Sequence, residues 1–460
     1  RARPQRSAPV ARLSMQVAVI GAGVIGVTTA YELATDGHDV TVFERRGTVA
    51  AGCSFANAGL VAPGYVSPWA APGMPTKVLR HAFSEHATVR IAGPLDAAAL
   101  GWAWRWWRAC SPQAYRANRA RMHRLAHYSR ERLLQLTQRL HLDFERAQGF
   151  LVLLRSAREM ALAEAGVRTL AELGAAPAIL DAAGCRAIEP GLNPETPLVA
   201  GLYSKDDEVG NCREFTHLLR KEATHAGARF RFNASVESIQ AGHRPSLRVV
   251  QAPHDARDEA LRARDSSGWS DTQPEPGETS EPSFDAIVVS AAVESRQLLR
   301  PLGIRLPLLA IHGYSVTAPL RHDDAHLHLE PRAALMDERY KVAISRLGQR
   351  VRVAGSAEIG GDPERQSERA QATLDKVLDD WFPGVTRRDA AQRWKGARPM
   401  LPDGPPVLGP SGAEGIWLNV GHGGSGWALA AGSARLVADA IAGRKTPIAI
   451  DGLGIERLRA

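Results

Sequence analysis

The stretch that decides the fold is QVAVIGAGVIGVTTAYELATDGHDVTVFE, from Gln16 to Glu44. It predicts a strand over Gln16–Ile20, a helix over Val24–Asp36 and a second strand over Asp39–Phe43, because two β-branched runs flank a run of helically spaced apolar residues. Gly37 follows the predicted helix and is typical of a C-terminal cap. A strand, a helix and a strand within roughly thirty residues form a βαβ unit.

The turn between the first strand and the helix carries the pattern GxGxxG. Gly21 allows the tight turn, Gly23 lets a pyrophosphate approach the backbone, and Gly26 lets the helix pack closely on the strand. The positive end of the helix dipole then faces the phosphates. Glu44 ends the second strand, where an acid accepts the ribose hydroxyls of an adenosine. The unit predicts a dinucleotide site; the motif alone does not separate NAD from FAD, and a tight turn without a ligand is the alternative.

The length and composition of the chain limit the classes of protein to which it can belong. The chain has 460 residues, of which 44% are hydrophobic, which is enough for a large core and two domains. It contains no run of about eighteen apolar residues, so we expect no transmembrane helix. The four cysteines have neither metal-ligand nor CxxC spacing. We therefore expect no metal site and no disulfide, and a reducing, cytoplasmic setting fits best.

The formal net charge is +8, and half of it comes from four arginines within the first fourteen residues. This head has no apolar segment, so it is not a secretory signal. We interpret residues 1–14 as a disordered basic head or a cloning remnant. The rest of the chain has a modest positive balance, which gives no reason to expect nucleic acid as a partner.

Further along the chain, residues 95–180 have a mainly helical pattern. Residues 252–282 are polar, rich in Pro, Gly and Ser, and without periodicity, so we expect a mobile surface insertion. The remaining patterns predict strands over Gly149–Leu154, Arg229–Val236, Phe284–Ser290, Leu306–Ala318, Lys341–Ser345, Arg350–Ala354 and Ile416–Val420, and helices over Glu364–Trp381, with Asp362 as its cap, and from about Gly426 to Ala442.

A second glycine cluster, NVGHGGSGWAL, runs from Asn419 to Leu429 and opens the last predicted helix. Glycines at such a place let a ligand approach the backbone, and a helix start there offers free N–H groups. The alternative is a helix capped by Ser425 with flexible glycines before it.

Several segments beyond the βαβ unit carry a family resemblance. The segment from Glu44 to Pro72 contains SFANAG and PGYVSPWAAPG, and together with the βαβ unit it resembles the flavoprotein family of D-amino acid oxidases and dehydrogenases. It is most similar to the bacterial D-amino acid dehydrogenase small-subunit group. The likeness continues, in matching order, at FDAIVVSAAVESRQLL (Phe284–Leu299), HGYSVTAP (His312–Pro319), AGSAE (Ala354–Glu358), GARPMLPDGPPVLG (Gly396–Gly409) and NVGHGGSGWALAAGSARLVADAI (Asn419–Ile441).

This resemblance implies an α/β protein in which a Rossmann-like FAD-binding domain, of the glutathione-reductase-like type, is joined to an α+β substrate domain with a mixed or antiparallel sheet. We expect residues 15–75, 180–303 and 390–460 to form the first domain, and residues 76–179 and 304–389 to form the second.

FAD bound in an extended form would touch both glycine loops, with Gly421–Gly426 against the isoalloxazine ring. We expect the following residues to contact it: Gly21, Gly23, Val24, Ile25, Gly26, Glu44, Arg45, Ser54, Asn57, Ala58, Gly59, Val236, Ala291, Gly421, His422, Gly423, Gly424, Ser425 and Gly426.

The resemblance also implies a substrate site. Arg398 lies in a G-x-R-P segment whose arginine binds the substrate carboxylate in this family, and a guanidinium fork suits that role. The alternative is an ordinary ion pair. Tyr314 and Tyr340 are candidates to add a phenolic hydrogen bond or to line the pocket, and either could instead be a core tyrosine. We interpret His422 as a cofactor-loop residue rather than a base, because hydride transfer from a neutral amine needs no base at Cα.

The predicted reaction is oxidative deamination of D-amino acids to 2-oxo acids and ammonia, with hydride transfer to flavin N5 and electrons passed to a quinone-type acceptor. Alternatives are an oxidase that produces hydrogen peroxide, or a relative that acts on D-hydroxyproline, glycine or N-methyl amino acids. A non-catalytic flavin-binding interaction subunit is the alternative of another class.

Two segments depart from the family pattern. Ala292 replaces the usual glycine in SAAVES, and KDDEVGNCREF (Lys205–Phe215) is more irregular than usual.

A basic tryptophan segment, GWAWRWWRAC, spans Gly101 to Cys110. Trp and Arg together can seat a helix in the headgroup layer of an anionic membrane. A buried aromatic helix with solvated arginines is the alternative, and the sequence favours it. The predicted location is therefore cytoplasmic, with peripheral contact at the inner membrane left open.

Overall fold

The computed structural model describes residues 14–81, 86–172, 176–252, 277–321 and 329–459. The predicted basic head, apart from Ser14, lies outside these residues, as does most of the predicted insertion. The last part of that insertion is described, and it contributes a short strand, Thr279–Ser280, to a sheet.

The described chain folds into two layered α/β regions. Its helices are α1 (Val24–Thr35), α2 (Met74–His81), α3 (Ala97–Ala109), α4 (Pro112–Leu140), α5 (Ala157–Glu172), α6 (Ala182–Ile188), α7 (Cys212–His225), α8 (Ser295–Leu299), α9 (Glu368–Trp381) and α10 (Gly426–Ile441). Its strands are β1 (Gln16–Ile20), β2 (Asp39–Phe43), β3 (Leu60–Val61), β4 (Val89–Ile91), β5 (Ala147–Leu154), β6 (Ala178–Asp181), β7 (Ala200–Val209), β8 (Arg229–Arg231), β9 (Ala234–Gln240), β10 (Ser246–Gln251), β11 (Thr279–Ser280), β12 (Ala286–Val289), β13 (Leu309–Pro319), β14 (Ala334–Asp337), β15 (Val342–Leu347), β16 (Arg350–Ile359), β17 (Gln392–Met400), β18 (Val407–Pro410) and β19 (Ile416–Val420).

The first region is built on a six-stranded sheet with the order β18-β19-β12-β1-β2-β8. Strand β1 pairs in parallel with β2 and β12, and only β18 runs antiparallel. Both faces of the sheet are covered: Val17 and Val19 pack with α1, α7 and α10, whereas Ala18 and Ile20 pack towards β9 and β10. This two-sided burial explains why β1 is a continuous apolar run. The predicted βαβ unit is confirmed, with α1 ending one residue earlier than expected.

The second region is built on a ten-stranded mixed sheet with the path β17-β13-β16-β15-β14-β5-β7-β3, to which β4 and β6 add at the sides. One face packs against α9, where Trp381 is fully buried. The other face, around Phe150, Val152 and Met336, packs with the segment around Ala62 and with α5. The predicted mixed sheet of the substrate domain is confirmed.

Some predicted elements differ from the structure. The single strand expected over Arg229–Val236 is two strands, β8 and β9, in different sheets, because Asn233 adopts φ +52° and breaks the extended run. Helix α9 begins at Glu368 and is capped by Ser367, whose hydroxyl accepts from Ala370 N; the side chain of Asp362 instead accepts from Glu364 N in the preceding turn.

The two sheets also divide the chain differently from the predicted domain boundaries. Strands β3, β7 and β17 lie in segments that we assigned to the FAD-binding domain. Their backbone hydrogen bonds, however, go to β5, β7 and β13 of the ten-stranded sheet. The larger sheet therefore draws strands from both predicted domains, and it lies across the boundary between them.

A group of charged side chains, which we call the helix ion cluster, joins α1, α4 and α10. Its members are Glu32, Asp36, Arg132, Arg435, Asp439 and Arg444. The Glu32 side chain is completely buried and accepts from Arg132 Nε and Arg435 Nη1, each at 2.7 Å. Every charge in the cluster therefore has an opposite partner, as burial of an ion requires.

Across the described ranges, the helices include no segment with the length and apolarity needed to span a bilayer.

Candidate active site

A cavity of about 1200 Å³ lies between the two regions. That volume is larger than a typical small-ligand pocket and suits a long ligand together with a second, smaller one. The cavity borders both glycine loops and the inner face of the ten-stranded sheet. The predicted site residues along its wall are Gly21, Gly23, Val24, Ile25, Glu44, Arg45, Ser54, Asn57, Ala58, Gly59, Val236, Ala291, Tyr314, Arg398, Gly421, His422, Gly423, Gly424, Ser425 and Gly426.

The first glycine loop has the geometry that its motif predicts. Gly21 adopts φ +99°, and a Cβ there would lie 2.8 Å from Ser290 O. A Cβ at Gly26 would lie 2.9 Å from the carbonyl carbon of Gly21 and would collide with its oxygen, so this glycine brings α1 against the loop rather than lining the cavity. Gly23 precedes the first turn of α1 without a capping side chain. The loop thus presents bare backbone and a helix start to the cavity.

The carboxylate of Glu44 organises the end of β2. It accepts from Ala22 N at 2.7 Å and from Arg46 N at 2.9 Å. Burial raises the pKa of this carboxyl, although the two backbone donors pull it down. Each carboxylate oxygen still has a free lone pair, so Glu44 can accept ribose hydroxyls. The next residue, Arg45, forms an ion pair with Glu294 across the cavity rim.

The loop after β2 is tied to both glycine loops. Ser54 Oγ accepts from Val24 N at 3.0 Å, so this side chain serves the start of α1. Asn57 Oδ1 accepts from Gly59 N at 2.9 Å and therefore organises its own turn. The indole of Trp427, in the first turn of α10, donates to Gly59 O at 3.1 Å. These bonds hold the three loops at fixed distances around the cavity.

The second glycine loop leads into α10 through a short 3₁₀ turn, Gly423–Ser425. The side chain of Ser425 makes no capping hydrogen bond, so the alternative of a simple serine cap does not describe this helix start. His422 Nε2 pairs with Ser433 Oγ at 3.1 Å, and burial lowers the pKa of His422 to about 3. This imidazole is neutral at physiological pH.

Arg398 lies on β17 beside the second glycine loop. The Cδ of Arg398 is 3.7 Å from the position that a Cβ would occupy at Gly424. Its Nη1 donates to Ser356 O at 2.8 Å and its Nη2 lies 3.5 Å from Gly355 O. Among the described residues, no carboxylate pairs with this guanidinium, and burial lowers its pKa. Arginine nevertheless stays charged, so a cation without a counter-ion faces the cavity.

The two tyrosines lie apart from the guanidinium. Tyr314 borders the cavity, but its ring packs in the core under α9 and its hydroxyl donates to Glu358 at 2.9 Å. Tyr340 does not line the cavity, because its ring packs against the guanidinium of Arg155 and the ammonium of Lys376. Both positions match the core alternative given above, because Tyr314 on β13 and Tyr340 in the turn between β14 and β15 pack in the same apolar cluster as α9.

Sequence reasoning missed several residues of the cavity wall. Tyr65 lies within the segment PGYVSP, and Lys341 Nζ approaches its hydroxyl to 3.3 Å. Glu338 pairs with the same ammonium. Trp394, Gly396 and Gly313 line the wall next to Arg398. The sequence did contain a signal for Gly313, which lies inside the predicted strand Leu306–Ala318, because a glycine within a strand often marks the close approach of another group.

These residues fit FAD. Bare glycine backbone and a helix start can hold the pyrophosphate, Glu44 can hold the ribose, and a second uncapped helix start can face the flavin ring. The donors are backbone N–H groups and carboxylate oxygens, which is the chemistry that a dinucleotide requires. In the described ranges, no group of three or more His, Cys, Asp or Glu side chains could hold a metal ion.

Comparisons with known proteins agree with this geometry. The family model described as DAO, FAD dependent oxidoreductase, matches residues 16–440. A D-amino acid dehydrogenase of Cereibacter sphaeroides is 42% identical over 97% of this chain and 96% of its own length. One of Rhizorhabdus wittichii is 41% identical over 96% of this chain and 100% of its own. The crystal structure of glycine oxidase from Geobacillus kaustophilus superposes with a TM-score of 0.68 and 19% identity, covering 96% of this chain and 98% of that one.

Proposed function

The chain belongs to the DAO family of FAD-dependent oxidoreductases, and from this premise we propose that it is a D-amino acid dehydrogenase that converts its substrates to 2-oxo acids and ammonia. FAD is the cofactor of the family. The full-length similarity to D-amino acid dehydrogenases supports the substrate class. Because that similarity extends over both sheets, it includes the cavity as well as the dinucleotide motif.

The observation that carries the proposal is the position of Arg398. Its charge faces the cavity beside the second glycine loop, and its protein partners are two carbonyl oxygens. Two carbonyl groups leave several N–H groups of the guanidinium fork available. An α-carboxylate would supply both the missing counter-charge and the paired acceptors. We assign this role to Arg398.

Bound FAD supplies the acceptor for the hydride that leaves the substrate Cα. The protein contributes orientation: a carboxylate held by Arg398 fixes the position of Cα relative to the loop Gly421–Gly426. No base is required if the amine binds in its neutral form. We assign none to His422, because its Nε2 pairs with Ser433 and its pKa is far below the physiological range. Water then hydrolyses the imine product to the 2-oxo acid and ammonia.

We further propose that the electrons pass to a quinone-type acceptor and that the protein touches an anionic membrane through one face of α3. Leu100, Trp104 and Trp107 recur on that face at i, i+4 and i+7, and their exposed fractions are 57%, 58% and 54%. We call these three residues the α3 face. Arg105 and Arg108 beside them are also exposed. Exposed Trp and Leu flanked by Arg is the pattern of a helix that lies in the headgroup layer.

The substrate proposal is tested by anaerobic titration of the purified holoprotein with D- and L-amino acids while the flavin absorbance is followed. Bleaching by D-amino acids alone is expected. Bleaching only by glycine, an N-methyl amino acid or D-hydroxyproline would move the enzyme to a different substrate class. A flavoprotein that none of these compounds reduces would favour the non-catalytic alternative. Rapid re-oxidation by oxygen with release of hydrogen peroxide would make it an oxidase.

The membrane proposal is tested by flotation of the protein with vesicles of phosphatidylcholine, with and without phosphatidylglycerol. We expect binding only to the anionic vesicles and its loss in the double variant Trp104→Ser/Trp107→Ser. A matched control is Leu162→Ser, which removes another exposed apolar side chain, on α5. Equal flotation of all three proteins, or none with either vesicle, would contradict the proposal.

A further inference from the structure

The cavity-facing side of β17 carries a glycine between two long side chains next to the candidate carboxylate site. Trp394, Gly396 and Arg398 alternate along this strand and all line the cavity. Gly396 pairs directly with Gly313 on the neighbouring strand β13. Two glycines therefore lie side by side in the floor of the cavity, flanked by the two long side chains of Trp394 and Arg398.

Space, rather than backbone conformation, explains these two glycines, because neither has a positive φ. A Cβ added at Gly313 would overlap the Arg398 guanidinium, coming within 2.8 Å of Nε and closer still to Cζ and Nη2. A Cβ added at Gly396 would likewise overlap the Trp394 indole, whose Cζ3 would be 2.8 Å away. The guanidinium and the indole thus lie directly on the bare strands.

The opposite side of the guanidinium is held by β16. Ser356, whose carbonyl accepts from Arg398 Nη1 at 2.8 Å, has φ +58°, which is strained for a residue with a side chain. The pairing of β13 with β16 is also irregular between His312 and Tyr314, at Gly313 itself. A local irregularity of both strands therefore shapes the place where the guanidinium rests.

We propose that Gly313 is a positioning residue for the carboxylate site: its missing side chain lets the Arg398 guanidinium lie flat on the sheet, aimed at the substrate. This inference depends on the role of Arg398 proposed above. Gly313 does not contact the substrate. It determines how closely the Arg398 guanidinium lies on the sheet and in which direction the guanidinium points. Since orientation errors of about 1 Å are costly in catalysis, a methyl group here has a functional effect.

The fold itself tolerates a methyl group at Gly313. The atoms that it would meet are the far end of a flexible side chain, which can move into the cavity. Gly191 shows the opposite case, because a Cβ there would lie 2.7 Å from the backbone carbonyl carbon of Leu329. Gly313→Ala is therefore expected to displace the guanidinium and to leave the sheet intact.

A matched control is Gly201→Ala in the same ten-stranded sheet. A Cβ at Gly201 would lie 2.5 Å from Cys185 Sγ and 2.9 Å from Leu151 Cδ1, which belong to the apolar core. This substitution introduces the same methyl group under similar crowding but far from Arg398. It should lower the melting temperature without changing substrate affinity.

The experiment is a double-mutant cycle on the holoprotein with Gly313→Ala, Arg398→Lys and the combined variant, with flavin content and melting temperature measured for each. We expect Gly313→Ala to raise KM for D-amino acids about ten-fold or more, with flavin content retained and a smaller change in kcat. In the Arg398→Lys background the same substitution should change KM by less than about two-fold, because the slimmer lysine no longer lies against the methyl group.

The outcomes separate the two ideas. If Arg398→Lys leaves KM unchanged, the carboxylate role of Arg398 fails and the inference about Gly313 falls with it. If Arg398→Lys raises KM but Gly313→Ala does not, the carboxylate role stands and the positioning role of Gly313 is wrong. Equal effects of Gly313→Ala in both backgrounds, or an equal rise of KM in Gly201→Ala, would show a general packing effect and would also overturn the inference.

Discussion

The arginines of the helix ion cluster and Arg398 at the cavity show that the protein surrounds the same side chain in two different ways. In the helix ion cluster, Arg132 and Arg435 share the buried carboxylate of Glu32, and Arg435 also pairs with Asp36. Burial opposes the charge of Arg435, but the hydrogen bonds and charges of its partners outweigh burial and raise its pKa. At the cavity, burial alone dominates and lowers the pKa of Arg398.

The contrast distinguishes a structural charge from a functional one. A buried ion pair is complete within the chain, so nothing further can bind to it. The Arg398 guanidinium is incomplete, because carbonyl oxygens provide hydrogen-bond acceptors but no counter-charge. The ion-pair interaction that Arg398 lacks in the isolated protein forms when a substrate carboxylate binds, and it contributes to the binding free energy. A cation that looks poorly stabilised is therefore a better indicator of the binding site than a well-paired one.

The largest expected effect is on the helix ion cluster. Glu32→Gln removes the buried carboxylate that two partly buried guanidinium groups share, so we expect the free energy of unfolding to fall by about 3–5 kcal/mol. Denaturant unfolding of the holoprotein measures this change. KM for D-amino acids should stay at the wild-type value, and a change of KM without loss of stability would break the comparison.

The reverse result is expected at the cavity. Arg398→Leu removes the carboxylate partner, so kcat/KM for D-amino acids should fall by about 30- to 1000-fold, which corresponds to about 2–4 kcal/mol. The free energy of unfolding should stay the same or rise, because a partly buried charge without a counter-ion is replaced by an apolar side chain. Steady-state kinetics and denaturant unfolding of the same preparation test both parts. A large loss of stability would show that Arg398 is itself a structural residue.

His422 shows what happens when a buried group without a counter-ion can lose its charge. Its pKa falls from the ordinary 6.5 to about 3 in the folded protein. Between these values the unfolded chain binds a proton that the folded chain does not, so stability falls as pH is lowered through this window. At pH 5 the expected contribution is a loss of about 2 kcal/mol. His422→Asn should flatten the decline of unfolding free energy between pH 6.5 and 5; an unchanged slope would contradict this explanation.

The smallest expected effect concerns backbone strain at the cavity rim. Ala292 has φ +48°, whereas its neighbour Ala291 has φ −83°. Ala292→Gly should relieve the left-handed conformation and stabilise the protein by about 1 kcal/mol, and Ala291→Gly should destabilise it by about 0.5–1 kcal/mol. Thermal unfolding of the two variants provides the comparison. Equal shifts of the melting temperature in the two variants would show that the left-handed conformation of Ala292 carries no strain.

Local patterns predicted much of the fold. The bounds of β1, α1 and β2 agree with prediction to within one residue, because glycines and β-branched runs determine them locally. The cofactor loops could be predicted for the same reason. Their expected contacts with FAD are made by backbone groups, and glycine-rich sequence marks the places where a ligand can reach the backbone.

Features that depend on pairing between distant segments could not be predicted. Nothing in the sequence around Tyr314 shows which face of the sheet its ring occupies, because that depends on the register with β16. Tyr340 lies in the turn between β14 and β15, and the sequence does not show where that turn directs its ring. For the same reason the sequence did not indicate a role for Gly313, because its strand-pairing partner in β17 is more than eighty residues away. Arg398 was predicted from the resemblance, but its lack of a carboxylate partner became visible only when β13, β16 and β17 were placed together.

The pairing of α1 with α10 has a consequence for the order of events during synthesis. The side chain of Asn419 donates to Thr29 Oγ1 across 390 positions of sequence, and the helix that follows Asn419 packs against α1. The first glycine loop leaves the ribosome early, yet the wall opposite it is made from residues translated about 390 positions later. Until then α7 can cover one part of α1, but the part that packs against α10 has no cover. The nascent chain must therefore remain unaggregated without its cofactor, and flavin can be captured only after translation has passed α10.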